Sequence, residues 1–417
     1  MRERRFRLVG IFYIAAFILF TAFPIIADDV ISKDEYGARR NTLSESIVDG
    51  VILLASPGIK DKSSFSSIEN TPFYDFYYLS GFYGDDPEKL SYLAIVPSER
   101  ITILFSDISF ESRTKVLENT GIKHIFPSIQ FDRFMKDVLA DEKVYTLKSV
   151  PFYKSLSETK VDVNDKKLRG TLTTMRMIKS EGELNIMRKT ADAVSNGITN
   201  AMKQVKPGIT EADVKKIISD GISKNTGVTY HNLGMIVGSG PNSTIIHYDG
   251  DKRKIEDGDV IVCDISPAYN FYATDITRTI PANGKFTDEQ KKIYQLVLDT
   301  QKAAEKELKP GVTLAELHKI ADNYIKENGK DYYKYSFGNK IHYLGHYVGM
   351  AVHDVGGYTA KLKPGMVITI EPGIYDKEKN IGVRIEDTYV VTEDGFSRIS
   401  NGVPREVTEI EKMMSPN

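Results

Sequence analysis

The sequence contains no tryptophan and one cysteine, Cys263. A single thiol cannot close an internal disulfide, so stability has to come from buried apolar surface. Net charge is scarce as well: 55 Lys and Arg stand against 57 Asp and Glu, with both signs mixed along the chain. No basic field is available to hold a phosphate backbone, which argues against nucleic acid as a partner. Long apolar runs are limited to one, residues 8–23, so the rest of the chain has the texture of a soluble protein.

That run follows Arg2, Arg4, Arg5 and Arg7, is broken by Pro24, and leads to Ala27 and two aspartates. The layout is that of an export signal with a cut after Ala27. The length of the run and the bulky Ile25 also fit an uncleaved membrane anchor. Residues 1–27 are therefore set apart, and the protein is expected to be exported, to a periplasm or to the outside, free or anchored.

At 417 residues the chain exceeds what one core usually organises, so two domains are expected. Over 28–170, short apolar runs (51–55, 91–96, 101–106) alternate with helical stretches such as 131–139, which reads as an α/β domain without an acid, base or ligand cluster. The aromatic stretch 73–82 reads as core and turn. Over 171–417 a long amphipathic helix opens the second domain: Ser180-Glu181-Gly182-Glu183 forms a capping box ahead of Leu184, Met187, Ala191, Val194, Ile198 and Met202.

The second domain repeats itself. Val205-Lys-Pro-Gly-Ile-Thr-Glu-Ala-Asp-Val-Lys-Lys-Ile217 returns as Leu308-Lys-Pro-Gly-Val-Thr-Leu-Ala-Glu-Leu-His-Lys-Ile320, each copy with a capping threonine, Thr210 or Thr313. Gly258-Asp-Val-Ile-Val-Cys-Asp264 matches Gly365-Met-Val-Ile-Thr-Ile-Glu371. Asp275 corresponds to Glu386, and His247 to His353. A unit of two helices and two strands is thus duplicated about a pseudo-twofold axis, each copy carrying two acids and one histidine.

If the hairpin 260–280 turns at Pro267-Ala-Tyr-Asn270, Asp264 and Asp275 lie opposite one another on one face. Facing carboxylates repel unless one is protonated or a cation lies between them. Folding the halves together gathers four carboxylates, and two divalent cations would balance them. His346, which has no counterpart in the repeat, completes a ligand set that is mainly oxygen. Manganese comes first on such donors, with cobalt or zinc as substitutes. The reaction class is metal-assisted hydrolysis, with His247, His342 and His353 able to donate hydrogen bonds to a carbonyl or an oxyanion. His318 reads as a surface residue of its helix, and His231 is left unassigned.

The acid pair eleven positions apart (275 − 264), His342-Tyr-Leu-Gly-His346, Val352-His353-Asp354, Thr369-Ile-Glu-Pro-Gly373 and Gly382-Val-Arg-Ile-Glu-Asp387 resemble the pita-bread metallopeptidases, family M24. The resemblance covers the whole second domain. It implies an N-terminal α/β domain followed by a pseudo-twofold pita-bread catalytic domain, an α/β (α+β) protein. It makes Asp264 a ligand of one metal, His346 and Glu371 ligands of the other, and Asp275 and Glu386 bridges, with Glu371 taking the proton of the metal-bridged water. His247 and His353 would meet the substrate carbonyl, His342 would line the proline side, and Tyr375 and Arg384 would support the site. Arg39-Arg40-Asn-Thr-Leu43 and Phe76-Tyr-Tyr-Leu-Ser-Gly-Phe82 look like the first domain of aminopeptidase P, which implies release of a residue preceding proline from peptides. Prolidases carry a related domain, so Xaa-Pro dipeptides stay open as substrates. Tyr347 departs from the Gly-His-Gly of many relatives and bears on substrate preference. A metal-free creatinase-like hydrolase and a metal-free binding module are the rival readings, and the intact ligand types count against both. Self-association into a homo-oligomer is implied by the resemblance alone.

Overall fold

The computed structural model describes residues 30–56, 72–83, 89–138, 142–157, 163–226 and 231–415. The export reading of residues 1–27 lies outside them. Among the described residues no helix is long and apolar enough to cross a membrane.

The first part runs α1 (Lys33–Ser46), β1 (Val51–Ser56), α2 (Pro72–Ser80), β2 (Ser91–Val96), β3 (Ile101–Phe105), α3 (Phe110–Thr120), β4 (His124–Phe126), α4 (Gln130–Val138), β5 (Val144–Tyr145), α5 (Tyr153–Ser157) and α6 (Asp165–Met177). Its five strands form one mixed sheet in the order β4-β3-β2-β1-β5. All of β1 is buried, because its alternate residues feed two cores: Ile52 and Leu54 join the main core, Val51 and Leu53 a smaller one on the other face. The three strands expected from the apolar runs are present to within a residue. The aromatic stretch is core, with Phe73, Phe76 and Leu79 buried, but it is helix α2 rather than a turn. The chain turns after it, at Gly81 (φ 65°), where a Cβ would lie 2.6 Å from the Tyr36 ring. Helix α6 crosses residues 170 and 171 without a break, so the expected division falls inside a helix that packs on α1 and β5.

The second part runs α7 (Glu181–Gln204), α8 (Glu211–Thr226), β6 (His231–Ser239), β7 (Val260–Tyr269), β8 (Tyr272–Ala273), β9 (Ile276–Pro281), α9 (Asp288–Glu305), α10 (Leu314–Asn328), β10 (Val367–Ile370), β11 (Gly373–Asp376), β12 (Ile381–Arg384), β13 (Asp387–Val391), β14 (Phe396–Arg398) and α11 (Val407–Met414). The capping box of α7 is formed in both directions, Glu183 N–H to Ser180 Oγ and Ser180 N–H to Glu183 Oε2, and its apolar stripe is buried. Thr210 and Thr313 cap α8 and α10 through Asp213 and Glu316. The duplicated order of two helices and two strands is therefore present, as α7-α8-β7-β9 and α9-α10-β10-β13.

The halves meet edge to edge. Thr277 and Glu386 exchange backbone hydrogen bonds at 3.3 and 3.0 Å, and Thr279 Oγ1 both receives the Arg384 N–H and donates to the Arg384 carbonyl. One hydrophobic core runs from Ile31 to Ile410 and ties the two parts together. Phe271, at the tip of the β7–β8 hairpin, packs on Phe73 and Tyr77 of α2 with ring centroids 5.2 and 4.4 Å apart. The buried Arg39 of α1 reaches the Tyr78 carbonyl at 3.1 Å and Glu183 of α7 at 3.4 Å.

Candidate metal centre and active site

Strand register decides how the acids meet. Ile370 lies opposite Asp387 and Gly373 opposite Arg384, and the same register sets Glu371 against Glu386 across the interruption between them. In the first half Asp264 lies opposite Thr277, not Asp275. The hairpin turns at Asn270 and Phe271 (φ 45° and 66°), one residue later than a pairing of Asp264 with Asp275 requires, with Tyr269 opposite Tyr272. Asp275 consequently sits two residues toward the turn, diagonal to Asp264 on the same face. The expectation of directly facing carboxylates is corrected for this pair.

One cavity of about 300 Å³ is lined by Asp264, Asp275, His346, Glu371 and Glu386, together with His247, His342, His353 and Arg384. His346 Nε2 is 3.6 Å from Asp275, 3.4 Å from Glu371 and 3.9 Å from Glu386. These gaps are too long for hydrogen bonds but span what two ligands of one cation, each about 2.0–2.2 Å from it, would leave. Asp275, His346 and Glu386 each place a ligand atom within 4.8 Å of the others. Asp275 Oδ1 and Glu386 Oε1 are buried without a hydrogen-bond partner. A buried carboxylate oxygen left unpartnered costs free energy that a cation would recover. Asp264 differs: its Oδ2 accepts from Arg384 Nη2 at 2.6 Å.

The electrostatics agree. Burial, then the neighbouring Asp264 and Glu371, hold the Asp275 carboxyl well above its ordinary range. Burial and the Asp275 charge do the same to Glu386. Burial raises Glu371 to about 7, against the pull of His346 and Arg384. Four carboxylates share one guanidinium, so the site is short of positive charge, and the donor set fits divalent cations.

Hydroxyls fix three of the acids and His346. Thr277 Oγ1 donates to Glu386 Oε2 at 2.7 Å, Thr369 Oγ1 donates to Glu371 at 3.3 Å and accepts the His346 N–H, and Thr388 Oγ1 clasps the Asp275 backbone from both sides. Sequence reasoning passed over these threonines. Each stands two positions from an acid, on its face of the strand, and that spacing is the signal that finds them.

His342 Nε2 meets the Tyr375 hydroxyl at 2.9 Å, and burial lowers its pKa to about 4, so the ring is neutral near pH 7. Tyr375, which also accepts from Arg384 Nη1 at 3.1 Å, stands behind His342 and Arg384 and outside the cavity lining. The His353 ring lies edge-on to His346, centroids 4.3 Å apart. Tyr343 and Tyr358, not singled out in the sequence, also line the cavity, their rings 4.6 Å apart, and Tyr343 is 66% exposed at its mouth. His318 is half-buried rather than a free surface residue: its Nδ1 accepts the Leu344 N–H at 3.2 Å and its ring packs on Phe337 and Tyr343. The loop 342–346 packs against it through Tyr343 and Leu344. His231 begins β6, and its side chain lies outside the described residues.

The model of metallopeptidase family M24 matches residues 185–393. The chain is 28% identical to the Xaa-Pro aminopeptidase of Escherichia coli, over 92% of this chain and 98% of that one. It is 31% identical to the Xaa-Pro dipeptidase of Pyrococcus furiosus, over 82% of this chain and 94% of that one. Among solved structures, aminopeptidase PepP of Pseudomonas aeruginosa superposes with a TM-score of 0.79 at 29% identity, covering 92% of this chain and 98% of that one. The pita-bread fold, the acid-rich cavity and these likenesses agree: the chain belongs to metallopeptidase family M24 and is a hydrolase.

Proposed function

We propose that this protein is an Xaa-Pro aminopeptidase, hydrolysing the bond between an N-terminal residue and a following proline with two divalent cations. The observation that carries the reading is the convergence on one cavity of five ligand-type side chains with His247, His342 and His353. The likeness to the E. coli Xaa-Pro aminopeptidase over 92% of this chain, first part included, supports the substrate class.

Asp264, Asp275, His346, Glu371 and Glu386 would hold the cations, manganese first on this oxygen-rich set. When bound, such a pair acidifies water and polarises a carbonyl. Glu371 takes the proton of the attacking water and returns it to the departing proline nitrogen. His247 and His353 donate hydrogen bonds to the carbonyl oxygen as negative charge develops on it. Proline offers no N–H, so it must be recognised by ring shape, and the neutral His342 ring, held by Tyr375, supplies an apolar wall. Arg384 balances Asp264 and holds Tyr375. Export led by residues 1–27, division into two domains near residue 170, and self-association belong to the same proposal.

The test is hydrolysis by metal-stripped and manganese-reloaded protein of Xaa-Pro-Xaa tripeptides, an Xaa-Pro dipeptide and a Met-Ala peptide. Manganese-dependent release of the residue before proline from tripeptides is the expected result. Preference for the dipeptide would move the reading to prolidase, and no cleavage would overturn it.

A further inference from the structure

Asp354, the residue after His353, is 1% exposed at its side chain and sits between two buried cations. Its Oδ1 accepts from Arg176 Nη2 at 2.5 Å, and its Oδ2 lies 3.5 Å from Lys179 Nζ. The other arm of Arg176 donates to Asp75 Oδ1 at 2.8 Å, and its guanidinium lies over the Tyr74 ring. Asp75 and Tyr74 belong to α2, and Arg176 lies in the last turn of α6, so the line Asp75–Arg176–Asp354 crosses from the first part of the protein to the loop that presents His353. That loop closes on the carboxylate: the Asp354 N–H donates to the Tyr347 carbonyl at 2.8 Å, and a Cβ at Gly349 would lie 1.9 Å from Asp354 Oδ2.

We propose that Arg176 is a positioning residue for His353, through which the first part of the protein sets the geometry of the substrate-facing histidine. Asp354 can hold a charge at this depth only while Arg176 and Lys179 flank it: burial alone would raise its carboxyl, and the two cations keep it below the usual range. Arg176 is the partner with direction, since a planar guanidinium fixes two carboxylates at once where an ammonium fixes a point. Consecutive Cα atoms are about 3.8 Å apart, so a displaced Asp354 moves His353 by a comparable fraction of an ångström or more. Misplacement of a catalytic group by about 1 Å costs on the order of 100-fold in rate.

This inference rests on His353 facing substrate, as proposed above. Turnover of an Xaa-Pro-Xaa tripeptide is measured for the wild type, Arg176→Met, His353→Ala and the double variant, all full-length and manganese-loaded. The ¹⁵N imidazole resonance of His353, assigned by its loss in His353→Ala, is recorded in the metal-free proteins. Arg176→Met is expected to lower kcat by about 10- to 100-fold with KM and metal content little changed, to cost under about twofold in the His353→Ala background, and to shift or split the His353 resonance. Arg176→Lys, which keeps the charge but not the fork, is expected to fall between. If Arg176→Met does not fold, Asp75→Ala removes the far arm and is expected to lower kcat by about threefold with the same dependence on His353. Equal losses in both backgrounds, or an unmoved resonance, would overturn the inference. A wild type that cleaves no Xaa-Pro peptide would sink the substrate reading instead, while the resonance still reports on Arg176.

Discussion

Replacing Glu371 with glutamine in the metal-free protein isolates the electrostatic penalty of the site. Burial raises Glu371 from 4.5 to about 7, and 2.5 pH units correspond to about 3 kcal/mol at roughly 1.4 kcal/mol per unit. The sign follows from linkage: a group whose folded pKa is raised contributes stability that is fully present below pH 4.5 and lost as pH rises through 7. Glutamine does not ionise, so that loss is absent from the variant. His342 titrates with the opposite sign, its pKa being lowered to about 4, but it is present in both proteins and cancels in the difference, whereas Asp275 and Glu386, which the Glu371 charge helps to raise, are relieved in the variant and change the difference in the same direction. Urea unfolding followed by far-ultraviolet circular dichroism in chelator, from pH 4.5 to 8, should therefore show the variant gaining about 3 kcal/mol on the wild type across that range. Saturating manganese should remove most of the pH dependence of the wild type, because bound cations supply the missing charge. A difference that does not change with pH, or changes in favour of the wild type, would refute the reasoning.

Two further outcomes follow from particular side chains. Arg278 and Asp387 are both fully buried and 2.7 Å apart, and Arg278 also donates to the Glu386 carbonyl; Arg278→Met should cost roughly 3–5 kcal/mol in chemical unfolding, and a loss below about 1 kcal/mol would show that Gln301, Ser400 and Arg405 hold Asp387 without it. Tyr343→Ala should raise KM by about fivefold for peptides with apolar residues flanking the scissile bond and leave kcat nearly unchanged, equivalent to roughly 1 kcal/mol of lost aromatic contact; an unchanged KM would mean that substrate does not reach this ring.

The convergence of the duplicated acids with His346 was legible because oxygen donors recur at matching places in the two halves on strands that are otherwise apolar; Asp376 and Asp387, also buried on apolar strands, lie outside the cavity lining. The caps were legible for a local reason, a threonine or serine with an acid three positions on. The hairpin turn was not. Asn270 and Phe271 take left-handed conformations that a phenylalanine adopts only at a cost, and contacts from Phe73 and Tyr77, remote in sequence, offset it. Helix α2 was misread as partly a turn because its residues are apolar on nearly every face, which erases the period that marks a surface helix. His318 lies on a helix whose pattern is amphipathic, and only the packing of the loop 342–346 against it shows that its imidazole is used. Asp354 stood in a recognised motif, but its pairing with Arg176 was invisible for the same reason: it spans 178 positions.

The central claim, that Asp264, Asp275, His346, Glu371 and Glu386 hold a pair of divalent cations, is tested most directly by calorimetric titration of the metal-stripped protein with manganese, beside Glu386→Gln. Two ions per wild-type chain, with binding weakened or reduced to one ion in the variant and its thermal unfolding still cooperative, is the expected result. Wild-type protein that takes up no manganese, or as much and as tightly as Glu386→Gln, would contradict the account.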